Sequence, residues 1–536
     1  MSVECRWLRT GWLFILLLTP LAVAHGDGLQ RPNIVFVFSD DHSPQAIGAY
    51  DGWLKELDPT PNIDRLASQG VLFKNSFCTN SICGPSRAVI LTGKHSHLNG
   101  FKFNGDKFDA SQWIFPRAMQ QAGYQTAMVG KWHLGCTPQG FDFWQVLPGQ
   151  GRYYNPVFRT PAGKVTIEGH VSKIVTDLAV DWLDKRDSDK PFLLMCQHKA
   201  PHRNWMPAPE HLNLYDEVTI PEPPTLLDKL EDNASPALKS EMSIRNHMRL
   251  NSDLFFGLQP QKRDQGEAAT GAAVDLSGIR NLKNMTAEQI AAWHQAFDAE
   301  NEAFHQANLT GDALVRTKHQ RYVKNYLRVI RGVDDSVGRL MAYLDEQGLA
   351  DNTIVIYSSD QGFYLGEHGW YDKRWMYEES LAMPLIVRWP GVARAGKVVE
   401  SMVQNLDYAP TFLEIAGAQP PDDLQGRSLK PLLAEAPPAD WRRSLYYHYH
   451  EYPAVHSVAR HNGVRTERHK LIHFYQTDEW ELYDLQSDPH ELSNQYGKRG
   501  TEGVTAELKA ELRRLTEEAK DDTDRSPIAN PDLQSL

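Results

Sequence analysis

Two carboxylates, Asp40 and Asp41, follow directly on the apolar run Asn33-Ile34-Val35-Phe36-Val37-Phe38, after Ser39. Asp360-Gln361 closes the run that begins Thr353-Ile354-Val355-Ile356-Tyr357. Runs of this kind read as strands buried on both faces, and open α/β sheets place their sites at the C-terminal ends of such strands. If the two strands are neighbours, three carboxylates and an amide oxygen converge above one sheet edge. These are hard oxygen donors, suited to Ca²⁺ or Mg²⁺ and poorly suited to a soft metal. An isolated Asp-Asp pair is more often a loop or a helix cap, so the four residues together carry the expectation. A third feature is Cys83, in Cys83-Gly84-Pro85-Ser86-Arg87, just ahead of Ala88-Val89-Ile90-Leu91. That turn puts a thiol at a helix N-terminus, where orphan N–H groups favour anions and Arg87 adds fixed positive charge. Taken alone, such a cysteine is a buried thiol of modest reactivity.

The elements that must hold these groups follow from the apolar pattern. Further strands are expected at Val71–Phe73, Thr126–Val129, Phe192–Met195 and Pro384–Val387, with helices starting at Pro61 and spanning His319–Leu344 and Tyr408–Ala416. Alternation of strand and helix implies an α/β sandwich. Residues 207–312 are polar and broken by Pro and Gly, which reads as a helical and loop insertion within a domain spanning 25–437. Beyond Pro437, Leu445–His450, Val464–Arg468 and Lys470–Tyr475 read as short antiparallel strands and Glu507–Lys520 as an amphipathic helix. Residues 438–536 would thus form a small α+β domain.

The 536 residues are 41% hydrophobic and 23% charged, which excludes a disordered, collagenous or polytopic membrane chain. Lys plus Arg number 56 against 68 Asp plus Glu, a net charge of −12, so no nucleic acid is expected as a partner. Arg6 and Arg9, the run Trp12–Leu18 and Ala22-Val23-Ala24 match a secretory signal peptide, expected over residues 1–24, with an uncleaved membrane anchor as the alternative. Its removal takes Cys5 and leaves Cys78, Cys83, Cys136 and Cys196, too few for a disulfide scaffold in a chain this long. No later stretch is a transmembrane segment. Export to the periplasm or the exterior, or to a lysosome in a eukaryote, is the expectation.

The segment Cys83-Gly84-Pro85-Ser86-Arg87-Ala88-Val89-Ile90-Leu91-Thr92-Gly93 resembles the signature of the type I sulfatases, and Gly123–His133 resembles a second signature of that family. The resemblance covers nearly all of the mature chain. It implies an alkaline-phosphatase-like α/β sandwich with a large mixed sheet and a smaller C-terminal domain with an antiparallel sheet. It also implies that a formylglycine-generating or anaerobic maturation enzyme oxidises Cys83 to formylglycine. The hydrated aldehyde would use one hydroxyl to attack sulfur and the other to expel sulfate. One Ca²⁺ would be held by Asp40, Asp41, Asp360 and Gln361, with residue 83 completing the shell. Among these ligands Gln361 departs from the Asn or His usual in the family.

Further roles come from the same resemblance. Arg87 would polarise residue 83, Lys131 and Lys373 would neutralise the sulfate oxygens, and Asp360 would help activate the nucleophile. His202 would protonate the departing oxygen, and His133 would accept a proton during sulfate release. Asp372 and Arg374 flank Lys373 and could bind sugar hydroxyls, or only each other. The strand Tyr446–Tyr452 could wall the cleft with aromatic rings. The surrounding motifs are most similar to those of exported N-acetylglucosamine-6-sulfatases, so the expected substrate is a sulfated carbohydrate, with 6-O-sulfate on N-acetylglucosamine in glycosaminoglycan or mucin-type glycans. Another sulfated polysaccharide, or the phosphodiester and phosphonate monoester chemistry of the same superfamily, is the nearest rival. A noncatalytic glycan-binding protein with unmodified Cys83 is the rival from another class.

Overall fold

The computed structural model describes residue 1 and residues 31–257, 280–434 and 436–527. The expected signal peptide, apart from Met1, and residues 258–279 of the expected insertion lie outside the described residues.

Four parallel strands form the centre of a ten-stranded mixed sheet: β1 (Asn33–Ser39), β2 (Gln125–Lys131), β3 (Phe192–Gln197) and β4 (Thr353–Ser359), in the spatial order β4-β1-β3-β2. Val71–Phe73, Leu385–Arg388 and Lys397–Val399, the last also absent from the sequence reading, extend the sheet beyond β4. Three strands absent from the sequence reading, Phe143–Leu147, Val157–Thr160 and Gly163–Thr166, extend it beyond β2. The first two are only partly buried and the last is exposed throughout, so they lack the continuous apolar run that marks a central strand.

The period of two along β1 divides the core. Val35 and Val37 point to one face, which is covered by helices α2 (Val171–Lys185) and α3 (Gly311–Glu346). Ile34, Phe36 and Phe38 point to the other, where α1 (Cys83–Thr92) and α4 (Tyr408–Ala416) pack and Phe36 meets Phe412 at 5.6 Å between ring centres. Every residue of β1 is buried, which is why its pattern is a continuous run.

The C-terminal part is a four-stranded antiparallel sheet of β5 (Ser444–Tyr449), β6 (His461–Thr466), β7 (His469–Phe474) and β8 (Glu479–Asp484), with helix α5 (Glu502–Glu518) across it. Tyr446, Val464, Leu471 and Leu482 face α5, while Tyr447, Tyr449, Ile472 and Phe474 join the larger core. Sequence reasoning placed β6 a few residues late and missed β8, whose charged Glu479, Glu481 and Asp484 hide its alternation. Together the two sheets form the α/β sandwich with a smaller antiparallel sheet that the strand pattern and the family resemblance imply.

Candidate active site

Because the central four strands are parallel, their C-terminal ends meet along one edge. Ser39 is level with Ser359, so Asp40 and Asp360 emerge side by side. Carboxylate oxygens of Asp40, Asp41 and Asp360 all lie within 4.8 Å of one another, and all three residues are buried. Gln361 donates its amide to Asp41. Gln361 Oε1 and Asp40 Oδ1 are both buried with no hydrogen-bond partner. Burial and the adjacent Asp40 push Asp360 up to about 7. Burial, Asp40 and Asp360 also push Asp41 well above its ordinary range, against the pull of Lys373. Three crowded carboxylates and orphaned oxygens form a donor set that fits a hard divalent cation.

Helix α1 brings Cys83 and Arg87 to this cluster. Gly84 is required by close approach: a Cβ there would lie 2.7 Å from the Phe101 ring and 2.9 Å from Asn104 Oδ1. Arg87 is 3% exposed and ties the ends of the central strands together. Its Nε and Nη2 donate to Asp360 Oδ2 at 3.1 and 2.9 Å, and its Nη1 donates to the Lys131 carbonyl at 3.0 Å and to Gln197 Oε1 at 2.7 Å. Its Nη2 also lies 3.7 Å from Asp40 Oδ1. The Cys83 sulfur is wholly buried, 3.4 Å from Asn104 Nδ2 and 3.8 Å from Gln150 Nε2. Burial resists its ionisation, but Lys131 and Lys373 outweigh burial and bring the thiol below its ordinary value.

The remaining expected residues surround the same point. Lys131, the last residue of β2, donates to Asp40 and to Gln150. Lys373 donates to both oxygens of Asp41 at 2.7 Å. Burial works against the Lys373 charge, but Asp41 and Asp372 hold the ammonium well above its usual range. His202 Nε2 is 3.9 Å from Asp41 Oδ2, and burial holds the imidazole well below its normal value. The His133 carbonyl lies beside Gly84; burial and Lys131 push its imidazole well down, and its Nδ1 has no partner. Asp41, His133, Asp372 and Arg374 all have positive φ, at 71°, 57°, 80° and 103°. Such backbone costs about 1–3 kcal/mol per residue and persists where surrounding packing enforces it.

Asp372 and Arg374 bond to each other, and Tyr447 Oη donates to the Arg374 carbonyl at 2.7 Å. Neither lines the cleft of about 860 Å³ that opens over His202 and Gln150; Tyr371 and His456 do. The strand Tyr446–Tyr452 supplies no lining residue, and Ala454–His456 form that wall instead. The alternation of Tyr and His in the strand is the two faces of β5, one toward α5 and one toward the core.

Residues 32–418 match the sulfatase family, and residues 366–518 match the family described as N-sulphoglucosamine sulphohydrolase, C-terminal. The chain belongs to the sulfatase family. An N-acetylglucosamine-6-O-sulfatase of Bacteroides thetaiotaomicron is 46% identical over 497 residues, which cover 92% of this sulfatase and 86% of that protein. A solved structure described as a complex with its substrate D-glucosamine-2-N,6-O-disulfate is 44% identical, with a TM-score of 0.87 over 92% of this chain and 99% of the other. The phosphonate monoester hydrolase of Agrobacterium radiobacter, at 19% identity and a TM-score of 0.67 over 93% and 100% of the two chains, shares the fold.

Sequence reasoning missed the polar neighbours of this sulfatase's cluster. Gln197 sits at the end of β3 and Asn104 and Gln150 lie in loops, with no motif to mark them. His456 Nε2 lies 3.0 Å from both Asp372 Oδ2, to which it can donate, and Arg203 Nη1, from which it can accept, and its φ is 72°. Lys199 is 4% exposed, and burial pushes its amine down to about 7. The Gly149-Gln150-Gly151 loop was the one local signal available, since flexible glycines often let a backbone approach a ligand.

Proposed function

We propose that this enzyme is an exported sulfatase that removes the 6-O-sulfate of N-acetylglucosamine or N-sulfated glucosamine in glycosaminoglycan or mucin-type glycans. Cys83 is the position oxidised to formylglycine, and Asp40, Asp41, Asp360 and Gln361 hold one Ca²⁺. The carrying observation is the buried convergence of Cys83, Arg87, Lys131 and the three carboxylates in a chain 46% identical to an N-acetylglucosamine-6-O-sulfatase. The structure named for D-glucosamine-2-N,6-O-disulfate supports the same sugar. Export rests on the composition of residues 1–24; among the described residues no helix is long and apolar enough to cross a membrane.

When present, the aldehyde hydrate supplies the nucleophilic oxygen and the cation offsets charge on the sulfate. The chain's own residues do the rest. Arg87 fixes Asp360 and the strand ends so that the nucleophile's neighbours do not move during reaction. Lys131 and Lys373 place two ammonium groups where sulfate oxygens gain charge. Asp360 accepts the attacking hydroxyl's proton. Nδ1 of His202 donates to the Arg203 carbonyl, which leaves Nε2 facing the cleft side of Asp41. The anionic ester then raises the imidazole's affinity for a proton, and His202 protonates the leaving oxygen from Nε2. His133, kept neutral by burial, accepts the proton lost as sulfate departs.

The test is release of sulfate from N-acetylglucosamine 6-sulfate by protein whose residue-83 peptide has been weighed. Activity that tracks the aldehyde fraction and vanishes in Cys83→Ala supports the proposal. Hydrolysis of aryl phosphate diesters in preference to any sulfate ester would refute it, as would activity independent of the aldehyde.

A further inference from the structure

The cleft over His202 carries more positive charge than one departing sulfate requires. Its lining includes Arg152, Lys199, Arg203 and Arg249, with Glu241 as the only carboxylate among the lining residues, in a chain of net charge −12. Arg203 is already matched, by Asp253 at 3.0 Å and Asp372 at 3.6 Å. The other three have no carboxylate partner among the described residues. Arg152 donates to the neutral Asn284 Oδ1 at 2.8 Å. Lys199 is the telling case. Its side chain is almost wholly buried and makes no hydrogen bond or ion pair with any described residue; its Nζ lies 4.7 Å from the centre of the Tyr153 ring. Burial and Lys131 work against its charge, Asp40 and Asp41 offset them only from beyond ion-pair distance, and an anion arriving in the cleft would favour the ammonium. The same Tyr153 donates its hydroxyl to the His202 carbonyl at 2.6 Å, and the His202 N–H donates to the Lys199 carbonyl at 3.1 Å. One ring therefore fixes Lys199 and His202 in a single turn at the cleft wall. Lys131 and Lys373, assigned above to the departing sulfate, are instead bonded to Asp40 and Asp41 at the carboxylate cluster, within electrostatic range of Lys199.

We propose that Lys199, with Arg152 and Arg249 nearer the mouth, forms a second anion-binding subsite that holds an acidic group of the glycan other than the sulfate being removed. The chemistry fits a sulfate, a sulfamate or a carboxylate, each an oxyanion that a buried ammonium and two guanidinium forks can match. This subsite rests on the reading of the enzyme as a glucosamine 6-sulfatase, and it sets which members of that class are good substrates.

The test uses matured protein and three substrates: N-acetylglucosamine 6-sulfate, N-sulfoglucosamine 6-sulfate, and N-acetylglucosamine 6-sulfate joined to a uronic acid. The wild type should favour at least one doubly anionic substrate by about tenfold in kcat/KM, chiefly through KM, the size expected of one charge-assisted contact. Which substrate is favoured tells whether the second anion lies on the same sugar or its neighbour. Lys199→Gln should erase that preference, and the exposed changes Arg152→Gln and Arg249→Gln, which carry little risk to folding, should each weaken it. Wild-type rates that agree within about twofold across all three substrates would overturn the subsite. So would a Lys199→Gln variant that loses equally on all three, since a merely structural lysine behaves that way. Turnover of aryl sulfate with none of the three sugars hydrolysed overturns the glucosamine reading itself, and the subsite with it.

Discussion

Replacing Arg87 by Lys keeps the positive charge and removes the geometry. The guanidinium makes two contacts with Asp360, one with the Lys131 carbonyl and one with Gln197 Oε1, so it spans groups that a single ammonium cannot reach together. A lysine that keeps Asp360 leaves the Lys131 carbonyl and Gln197 Oε1 without their donor. Each buried acceptor so stranded costs about 1–3 kcal/mol, for a total of about 2–6 kcal/mol. The unfolding midpoint of Arg87→Lys should fall by several degrees. Displacement of Asp360 and Lys131 by a fraction of an ångström should also lower kcat/KM by about a hundredfold. Because the change lies inside the segment that resembles a maturation signal, the mass of the residue-83 peptide must be measured for each preparation. Rates are then normalised to the aldehyde fraction, while the thermal midpoint is compared on unmatured protein. A variant with wild-type midpoint and a normalised rate within about threefold would refute the idea that Arg87 acts by joining strand ends, and leave it as a point charge.

Other perturbations probe separate parts of the argument. His202→Ala should cost a sugar sulfate about 10²–10³ in kcat and an activated aryl sulfate far less, because only the poor leaving group needs the proton; equal losses would remove the assignment. Chelation should lower the unfolding midpoint and Ca²⁺ should restore it, by about 2.7 kcal/mol at a hundredfold excess over Kd; Asp360→Asn should lose that response, and a midpoint indifferent to chelator would contradict a cation at the cluster. Burial depresses His170 and His319 to about 4 each, so the unfolded chain binds their protons first as pH falls below about 6.5. Stability is therefore fully present above that pH and is lost toward pH 4, by about 2 kcal/mol per histidine at pH 5; an unfolding midpoint that stays flat between pH 7 and 5 would exclude it. Gly130→Ala should fail to fold or lose more than about 3 kcal/mol, since φ is 94° and the new Cβ would sit 1.8 Å from the Gln197 carbonyl oxygen; a soluble variant with wild-type midpoint would show that β2 can shift.

Much of the architecture was legible because the central strands are buried on both faces and therefore announce themselves as unbroken apolar runs. The same burial made Asp40-Asp41 and Asp360-Gln361 conspicuous, as charges at the end of oily strands. The edge strands were illegible for the opposite reason: Phe143–Leu147 and Val157–Thr160 are half-buried, Gly163–Thr166 is exposed, and all three carry mixed residues. Charged glutamates likewise concealed β8. Around the site, Cys83, Arg87 and Lys131 stood in recognisable segments, whereas Gln150 and Asn104 are ordinary loop amides whose importance comes from their contacts with Cys83, Gly84 and Lys131. His456 reaches Asp372 from 84 residues away, a distance no local pattern spans. Asp372 and Arg374 were read as binding either sugar hydroxyls or each other, and the structure shows the mutual pair.

All ten residues of the helix that starts at Cys83 are buried, and the sulfur itself has no exposed surface. This imposes an order of events on the life of the chain. Any enzyme that alters that sulfur has to meet the segment while it is still loose, before the sheet edge and Arg87 close around it. On the proposed conversion of Cys83, conversion and folding would therefore be in a race, and a molecule that folds first would be locked out of conversion. Preparations should then contain two populations that share one fold and differ in residue 83. Specific activity would report how fast the chain was made and moved as much as how well its site is built.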